Sequence, residues 1–132
     1  MSVDEECRFC VSKPGRRLID ESEYGFAAWD RHPASEGHFL VIPYRHVASY
    51  FDINDEELVD LWGLVAKGKR ICDEKYHPDG YNIGINVGNA AGQSIPHLHI
   101  HVIPRYKGDV ENPKGGVRGV IPDKKLYTFE PD

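Results

Sequence analysis

Three histidines stand at every second position of an apolar run, which reads His-Leu-His-Ile-His-Val-Ile from 97 to 103. In a β-strand alternate side chains lie on opposite faces, so His97, His99 and His101 share one face while the apolar residues face the core. Each buried imidazole has two nitrogens that need partners, so burying three for structure alone would be costly. Histidine also titrates nearest to neutral pH, which suits nucleophilic, acid–base and ligand roles. The spacing therefore predicts a functional site on this strand.

Polar residues that suit phosphate binding lie close to the histidine run. Gly92-Gln93-Ser94 precedes it and offers backbone freedom, an amide and a hydroxyl. Asn86, at the end of the preceding predicted strand, can reach the same pocket, or it can hold the glycine-rich loop by side-chain-to-backbone bonds. Three imidazoles on one face also make an open zinc site, so a catalytic metal centre is the alternative interpretation of the run.

Cys7-Arg8-Phe9-Cys10 is a second candidate site. Two thiols at this spacing suit a tetrahedral zinc ion, but they supply only half of its ligands. A cysteine pair without metal and a redox pair are the alternatives. A redox pair is expected near a βαβ unit, and none is evident in this sequence.

The strands that must position these residues follow from short apolar runs and turn residues. A strand, a turn and a second strand are predicted within 17–30, and a third strand over 37–43 is ended by proline. Two more strands are predicted over 81–87 and 97–103, around a loop rich in glycine, asparagine and serine. These elements predict an α+β domain with a mostly antiparallel sheet of about five strands.

One long helix is predicted between the third and fourth strands. Asn54 and Glu57 have the spacing of a capping box, and the helix is expected to end near 77–80, which reads His-Pro-Asp-Gly. Apolar residues recur at helical spacing between these limits and are expected to face the core. This apolar stripe consists of Leu58, Leu61, Trp62, Val65 and Cys72.

Length, charge and cysteine count limit the class of protein. A chain of 132 residues suits one domain with a single core, and its net charge of −5 argues against sequence-independent nucleic-acid binding. No apolar run approaches the roughly 20 residues that span a bilayer, and no secretory segment follows the acidic start. Three cysteines are too few for a disulfide framework, so a cytoplasmic location is predicted.

The tail over 104–132 is predicted to be basic and rich in loops. Between 105 and 125 it contains six basic residues and three acidic ones, a local surplus of three positive charges. Its Lys114-Gly115-Gly116-Val117-Arg118 stretch could fold over a polyphosphate, or it could be a solvated loop without a ligand.

Together these blocks resemble the histidine triad family, whose signature is three histidines separated by single hydrophobic residues. The match extends from Cys7 to about Arg105 and includes, between these ends, Asp30, the 37–43 block with His38, His46, Asn86 and the 92–105 block. The resemblance implies the histidine triad fold, with one long helix and one short helix, in a single domain over 1–132. It also implies a homodimer.

The resemblance further implies a nucleotidyl hydrolase or transferase acting at the α-phosphate of a nucleotide. His99 would attack phosphorus and form a nucleotidyl-histidine intermediate, which water then resolves. Asp30 would bind the ribose hydroxyls, or else merely end a strand; His38 would support the histidines, or else be a core residue. The phosphate oxygens would be held by Asn86, Gln93, Ser94 and His101, and either of the last two could also donate to the leaving oxygen or nitrogen.

Some family members and their uridylyltransferase relatives complete a zinc site on the two cysteines with two histidines, here His46 and His97. Such a zinc ion would be structural and would anchor residues 1–16. The tail resembles that of bacterial or archaeal members presumed to cleave dinucleoside polyphosphates such as diadenosine tetraphosphate, a substrate that magnesium can accompany. A nucleoside phosphoramidate hydrolase and a nucleotide-binding module with negligible turnover are the alternative functions.

Overall fold

The computed structural model describes residues 7–11 and 17–128. Its five strands form one sheet in the order β1-β2-β3-β5-β4, and every neighbouring pair is antiparallel. The predicted α+β fold, with one long and one short helix, is confirmed. The elements in chain order are α1 (Arg8–Val11), β1 (Leu18–Glu21), β2 (Gly25–Trp29), β3 (Phe39–Pro43), α2 (Asp55–Tyr76), β4 (Gly80–Gly84) and β5 (Ile100–Arg105).

The long helix α2 begins with the predicted capping box. Asn54 Oδ1 accepts from the backbone N–H of Glu57 at 2.8 Å, and Asn54 N–H donates to Glu57 Oε1 at 3.1 Å. The helix ends at Tyr76, and the residue that caps it, His77, has a left-handed φ of 53°. Trp62 was expected in the core, but it is 37% exposed. It lies about 100° around the helix from fully buried Leu61, so the two side chains point in different directions, and its indole N–H donates to the Tyr50 hydroxyl at 3.3 Å.

The sheet carries a different apolar cluster on each face. On the α2 face Leu98, Ile100 and Val102 pack with Leu61 and Leu64. On the other face Phe9 and Cys7 pack against apolar residues of β2 and β3, namely Phe26, Ala28, Leu40 and Ile42. Since the residues between the histidines all face α2, the predicted alternation of the 97–103 run is confirmed.

Several strand boundaries differ from the prediction, and β3 begins at Phe39 rather than at residue 37. β5 covers Ile100–Arg105, so His97 and His99 precede it in an irregular segment. The β3–β5 ladder ends at the Val41–Ile100 pair, and Pro43 beyond it has no N–H to continue the ladder. The fourth strand, predicted over 81–87, covers only Gly80–Gly84.

The tail is more ordered than predicted. Two 3₁₀ helices, Gly116–Val120 and Pro122–Lys124, follow β5, and the first contacts β4. Arg118 donates twice to the carbonyl of Lys124, at 3.1 and 2.8 Å, and lies 4.6 Å from the Tyr127 ring centroid. The guanidinium of Arg118, one of the basic groups of the tail, is therefore engaged in contacts within the tail. Within 7–11 and 17–128, no helix has the length and apolar character needed to cross a membrane.

Candidate functional site

Two thiols and two imidazoles from distant parts of the chain converge on one point: Cys7, Cys10, His46 and His97. Each offers one ligand atom, and the four atoms lie within 4.8 Å of one another. Cys7 Sγ is 3.4 Å from His97 Nδ1, and Cys10 Sγ is 3.3 Å from His46 Nδ1. A tetrahedron with zinc–sulfur bonds of about 2.3 Å and zinc–nitrogen bonds of about 2.0 Å has edges of similar length. The donor set and its spacing therefore fit a zinc ion.

A backbone hydrogen bond sets which nitrogen of His97 can bind a metal. His97 Nε2 lies 2.8 Å from the carbonyl oxygen of Pro43, and a carbonyl only accepts, so Nε2 carries the proton. Nδ1 then directs its lone pair toward the two thiols. Burial lowers the pKa of His97 to about 4; the Pro43 carbonyl opposes this shift, and His46 and His99 add to it. His97 is thus neutral, the form of imidazole that binds metals.

The loop that carries His46 is anchored at the start of α2. Its neighbour Arg45 forms a bidentate pair with Glu57, at 3.0 and 2.8 Å. Glu57 is only 2% exposed, and the Arg45 guanidinium lowers the pKa of its carboxyl. Because the same carboxyl accepts from Asn54 N–H, the helix cap and the histidine loop share one anchor.

Hydrogen bonds also assign the tautomers of His38, His99 and His101. His38 Nδ1 accepts from the backbone N–H of Ala34 at 2.9 Å, so the proton of neutral His38 is on Nε2. That nitrogen lies 3.1 Å from His101 Nδ1, which must accept, and this puts the proton of His101 on its Nε2. His99 Nδ1 lies 2.9 Å from the carbonyl oxygen of His97 and donates to it. In neutral His99 the lone pair is then on Nε2, as a nucleophile requires.

Burial favours the neutral form of the two hydrogen-bonded rings. It lowers the pKa of His38, and the Asp30 carboxylate opposes this effect. It lowers the pKa of His101 to about 4, with His99 and His38 adding to the shift and Asp30 again opposing it. At neutral pH a chain of hydrogen bonds therefore runs from the Ala34 amide through two neutral imidazoles.

The alternative of one metal site on all three histidines of the run is not what the structure describes. Among the described residues, His97 groups with the cysteines, whereas His101 groups with His38 and Asp30. The second group also lies within 4.8 Å, but the His38 Nε2 proton points at His101 Nδ1. His38 Nε2 and His101 Nδ1, which face each other, are thus already joined by a hydrogen bond.

A cavity of about 340 Å³ opens at His99 and His101. Three further residues predicted to bind nucleotide also line it: Asp30, Asn86 and Ser94. Besides lining the cavity, Asp30 closes a turn after β2, because its Oδ1 accepts from the backbone N–H of His32 at 2.8 Å. The structure brings five of the predicted nucleotide-binding residues around one space.

Gln93 is the predicted nucleotide-binding residue that lies elsewhere. Its Oε1 accepts from Gly88 N–H at 2.9 Å, and its Nε2 donates to the carbonyl oxygens of Ala48 at 2.8 Å and Ile95 at 3.2 Å. In the part of the chain that the structure describes, it is not among the residues lining the cavity. Its amide holds the loop that presents Ser94, and a direct bond to phosphate stays a prediction.

Six residues that line the cavity were not predicted as site residues from the sequence: Arg8, Phe9, Arg31, His32, Leu40 and Ile95. The Phe9 ring contacts His99 edge-on, with the ring centroids 4.9 Å apart. The two arginines supply local positive charge at the cavity of a chain whose net charge is −5. Their nearness in sequence to Cys7 and Asp30 was the available signal, but nearness alone does not show where a side chain points.

The comparisons with known proteins agree with this geometry. The HIT domain family model matches residues 13–108. The chain belongs to the HIT family. An uncharacterized HIT-like protein of Methanocaldococcus jannaschii is 38% identical over 128 residues, which cover 94% of this chain and 98% of that protein.

Two further HIT family relatives bear on chemistry and metal. The asymmetrical bis(5'-nucleosyl)-tetraphosphatase of Schizosaccharomyces pombe is 43% identical over 95 residues, which cover 72% of this chain and 52% of that enzyme. The chain thus spans about half the length of that relative. The crystal structure of a zinc-bound histidine triad family protein of Mycobacterium smegmatis has a TM-score of 0.68 at 38% identity, covering 80% of this chain and 79% of that one.

Proposed function

We propose that this protein is a nucleotide hydrolase that cleaves at the α-phosphate through a covalent intermediate on His99. The observation that carries the proposal is the pair of tautomers at the cavity. His99 has its lone pair on Nε2, His101 has its proton on Nε2, and both residues line the cavity. His99 Nε2 forms a bond to phosphorus while the bond from phosphorus to the leaving oxygen breaks. That oxygen belongs to the released phosphate and leaves as an anion with the electron pair of the broken bond, while His101 Nε2–H and the Ser94 hydroxyl donate hydrogen bonds to it. Water then attacks phosphorus, the phosphorus–nitrogen bond breaks, the extra proton goes to solvent, and the neutral imidazole of His99 is restored.

The remaining residues hold the nucleotide still. Asn86, Ser94 and His101 donate to the non-bridging oxygens, where charge accumulates in the transition state. Asp30 accepts from the ribose hydroxyls, because a carboxylate is an acceptor only. His38 positions the His101 ring through the bond between them.

The substrate that we propose is a dinucleoside polyphosphate. A relative that is 43% identical is named a bis(5'-nucleosyl)-tetraphosphatase, which supports this class of substrate. A second cavity of about 460 Å³ adjoins the first through His101 and Asn86 and would leave room for the rest of a dinucleotide. A nucleoside phosphoramidate is the second candidate, because the same attack on phosphorus serves it. Magnesium with a polyphosphate stays a prediction.

We also propose that Cys7, Cys10, His46 and His97 hold a structural zinc ion. Two thiols and two ring nitrogens within 4.8 Å support this, and four protein ligands would leave no open position for a substrate. Bound zinc would supply a rigid cross-link between the N-terminal segment and the two histidine loops. A single domain over 1–132, a homodimer and a cytoplasmic location stay predictions.

The experiment that tests the function is trapping of the adduct. The protein is mixed with a panel of dinucleoside polyphosphates and nucleoside phosphoramidates, quenched rapidly, and analysed by mass spectrometry of its peptides. We expect a nucleotidyl group on the peptide that contains His99, together with release of a mononucleotide. Turnover of any substrate with no adduct on that peptide would exclude the covalent route. Nucleotide binding without turnover on the whole panel would favour a binding module.

A further inference from the structure

The segment between the two cysteines also forms part of the candidate nucleotide cavity. Arg8 and Phe9 both line it. Phe9 is 4% exposed, and its ring contacts two imidazoles edge-on, with centroid distances of 5.9 Å to His97 and 4.9 Å to His99. One side chain therefore contacts a proposed metal ligand and the proposed nucleophile at the same time.

Tertiary contacts must hold this segment in place. The helix α1 has four residues, and a helix of that length is not stable by itself. Phe9 packs into the apolar cluster with Phe26 and Leu40, which orients the ring. The thiols on either side of it meet the His46 and His97 nitrogens, which belong to loops distant in sequence. A metal ion on those four atoms would connect the segment to the same loop that presents the nucleophile.

We infer that zinc binding by Cys7, Cys10, His46 and His97 fixes one wall of the candidate nucleotide cavity, and that Phe9 in this wall positions the His99 ring. Zinc on the four ligands holds the Phe9 ring edge-on against His99, where it limits rotation of the imidazole and gives the aromatic base of a nucleotide an apolar surface. Arg8 adds a positive charge to the same wall. The inference rests on the proposed function, which supplies the nucleotide ligand, and on the proposed zinc site, which fixes the segment between the cysteines.

Metal occupancy would then govern nucleotide affinity without touching the phosphate-binding residues. Asn86 follows β4, and His101 lies within β5, which pairs with β3 and β4, so loss of zinc should leave these two phosphate-binding residues in place. The expected defect of the metal-free protein is weaker binding of any ligand that carries a base, with a much smaller change for inorganic phosphate.

The first test compares AMP binding by calorimetry in zinc-loaded and chelator-treated protein, with the zinc content measured in each sample. Phe9→Ala should retain zinc and bind AMP about ten-fold more weakly, as the loss of an aromatic contact to a base predicts. Metal removal should weaken AMP binding of the wild type by a similar factor. In Phe9→Ala it should have little further effect, because both changes remove the same wall.

Matched variants separate this role from simple loss of stability. Phe26→Leu alters the same apolar cluster, but Phe26 does not line the cavity among the described residues, so AMP affinity should stay within about two-fold of wild type. Phe9→Tyr should restore most of the affinity lost in Phe9→Ala. If chelation unfolds the chain, as judged by circular dichroism, AMP binding by zinc-loaded Phe9→Ala and Phe26→Leu still tests whether Phe9 forms the wall. Equal AMP affinity of the two variants would overturn the inference.

The second test needs no nucleotide. The ring-proton resonances of His99 are recorded at one fixed pH, with and without zinc. We expect them to shift on metal removal in the wild type, because the Phe9 ring current is lost, and to shift much less in Phe9→Ala. Unchanged resonances, or wild-type AMP affinity in Phe9→Ala, would overturn the inference. A zinc-dependent shift in a wild type that binds no AMP would instead overturn the proposed function and leave the positioning of His99 intact.

Discussion

Two groups of buried and half-buried imidazoles, only a few residues apart in sequence, have different hydrogen-bond partners. In the group with the cysteines, the Pro43 carbonyl accepts the Nε2 proton of His97 and leaves a lone pair on Nδ1. In the other group, the Ala34 amide occupies Nδ1 of His38 and directs its Nε2 proton at His101. The first group places two sulfurs and two ring nitrogens around a common point, and the second aligns N–H donors with ring-nitrogen acceptors in a chain.

The difference shows that one backbone partner can decide the role of a histidine. A carbonyl partner leaves a lone pair on the opposite nitrogen, and an amide partner leaves a proton there. In His97 a carbonyl bonds Nε2 and in His99 a carbonyl bonds Nδ1, so the two rings present lone pairs on opposite nitrogens, whereas His101 accepts from His38 and presents an N–H. These are the properties that the proposed metal ligand, the proposed nucleophile and the proposed hydrogen-bond donor require. Each prediction below changes one group and measures whether the other responds.

The largest effect is expected from removing the proposed nucleophile. His99→Asn should lower turnover by about 10,000-fold or more, because no other group can form the intermediate. AMP binding and zinc content should remain close to wild type. Turnover is measured with the best substrate from the panel, and a loss smaller than ten-fold would contradict the assignment of His99.

Removing a thiol should empty the metal site. Cys7→Ser is expected to lower the zinc content from about one ion per chain to a small fraction of that, because the tetrahedral set is broken. Metal analysis of the purified protein gives the measurement. The control is Cys72→Ser, since Cys72 is buried against Gly37 and belongs to neither group. Equal zinc in the two variants would reject the ligand set.

Breaking the line of imidazoles should slow catalysis without releasing metal. His38→Ala removes the donor to His101 Nδ1, so the proton of His101 is no longer held on Nε2. We expect kcat to fall by about 10- to 100-fold with little change in KM, the usual scale for a residue that orients another. An unchanged kcat, or a loss of zinc, would contradict the separation of the two groups.

The same group should make stability depend on pH. Burial lowers the pKa of His101 to about 4, below the value of about 6.5 expected for an unfolded chain. Between these values the unfolded chain binds more protons, so the free energy of unfolding should fall as the pH drops from about 6.5 toward 4. Denaturant titrations between pH 5 and 7 should give a shallower slope for His101→Asn. Parallel slopes would contradict the depressed pKa.

The smallest effect is expected at the ribose. Asp30→Ala should weaken AMP binding about ten-fold and deoxy-AMP binding much less, because it removes hydrogen bonds between hydroxyls and a carboxylate. Calorimetry with the two nucleotides measures the ratio. If both lose affinity equally, Asp30 acts mainly through the turn that it closes and through His38.

Local features of the fold could be predicted because neighbouring residues cause them. The Asn54–Glu57 capping box needs residues three apart, and the alternation of 97–103 needs only the pleat of an extended chain. Trp62 and the start of β5 could not be predicted in the same way. Which helix face is covered and where a ladder ends depend on elements that are far away in sequence.

The same distinction between local and long-range causes applies to the candidate site. Motif spacing and a family resemblance were enough to name Cys7, Cys10, His46 and His97, and the structure brings them together. Gln93 was named for its amide, yet that amide bonds to the backbone of its own loop and to Ala48. No pattern marked Phe9, because only the folded segment turns that ring toward His99.

The sequence by itself determined the family, the strand and helix pattern, and which residue types could do chemistry, since these follow from composition, spacing and short-range hydrogen bonds. Only the tertiary structure decided which nitrogen of each imidazole carries the proton. The partners that decide it are the carbonyl oxygens of Pro43 and His97 and the amide of Ala34. Backbone groups are the same in every residue, so their influence on a side chain depends on where the fold puts them.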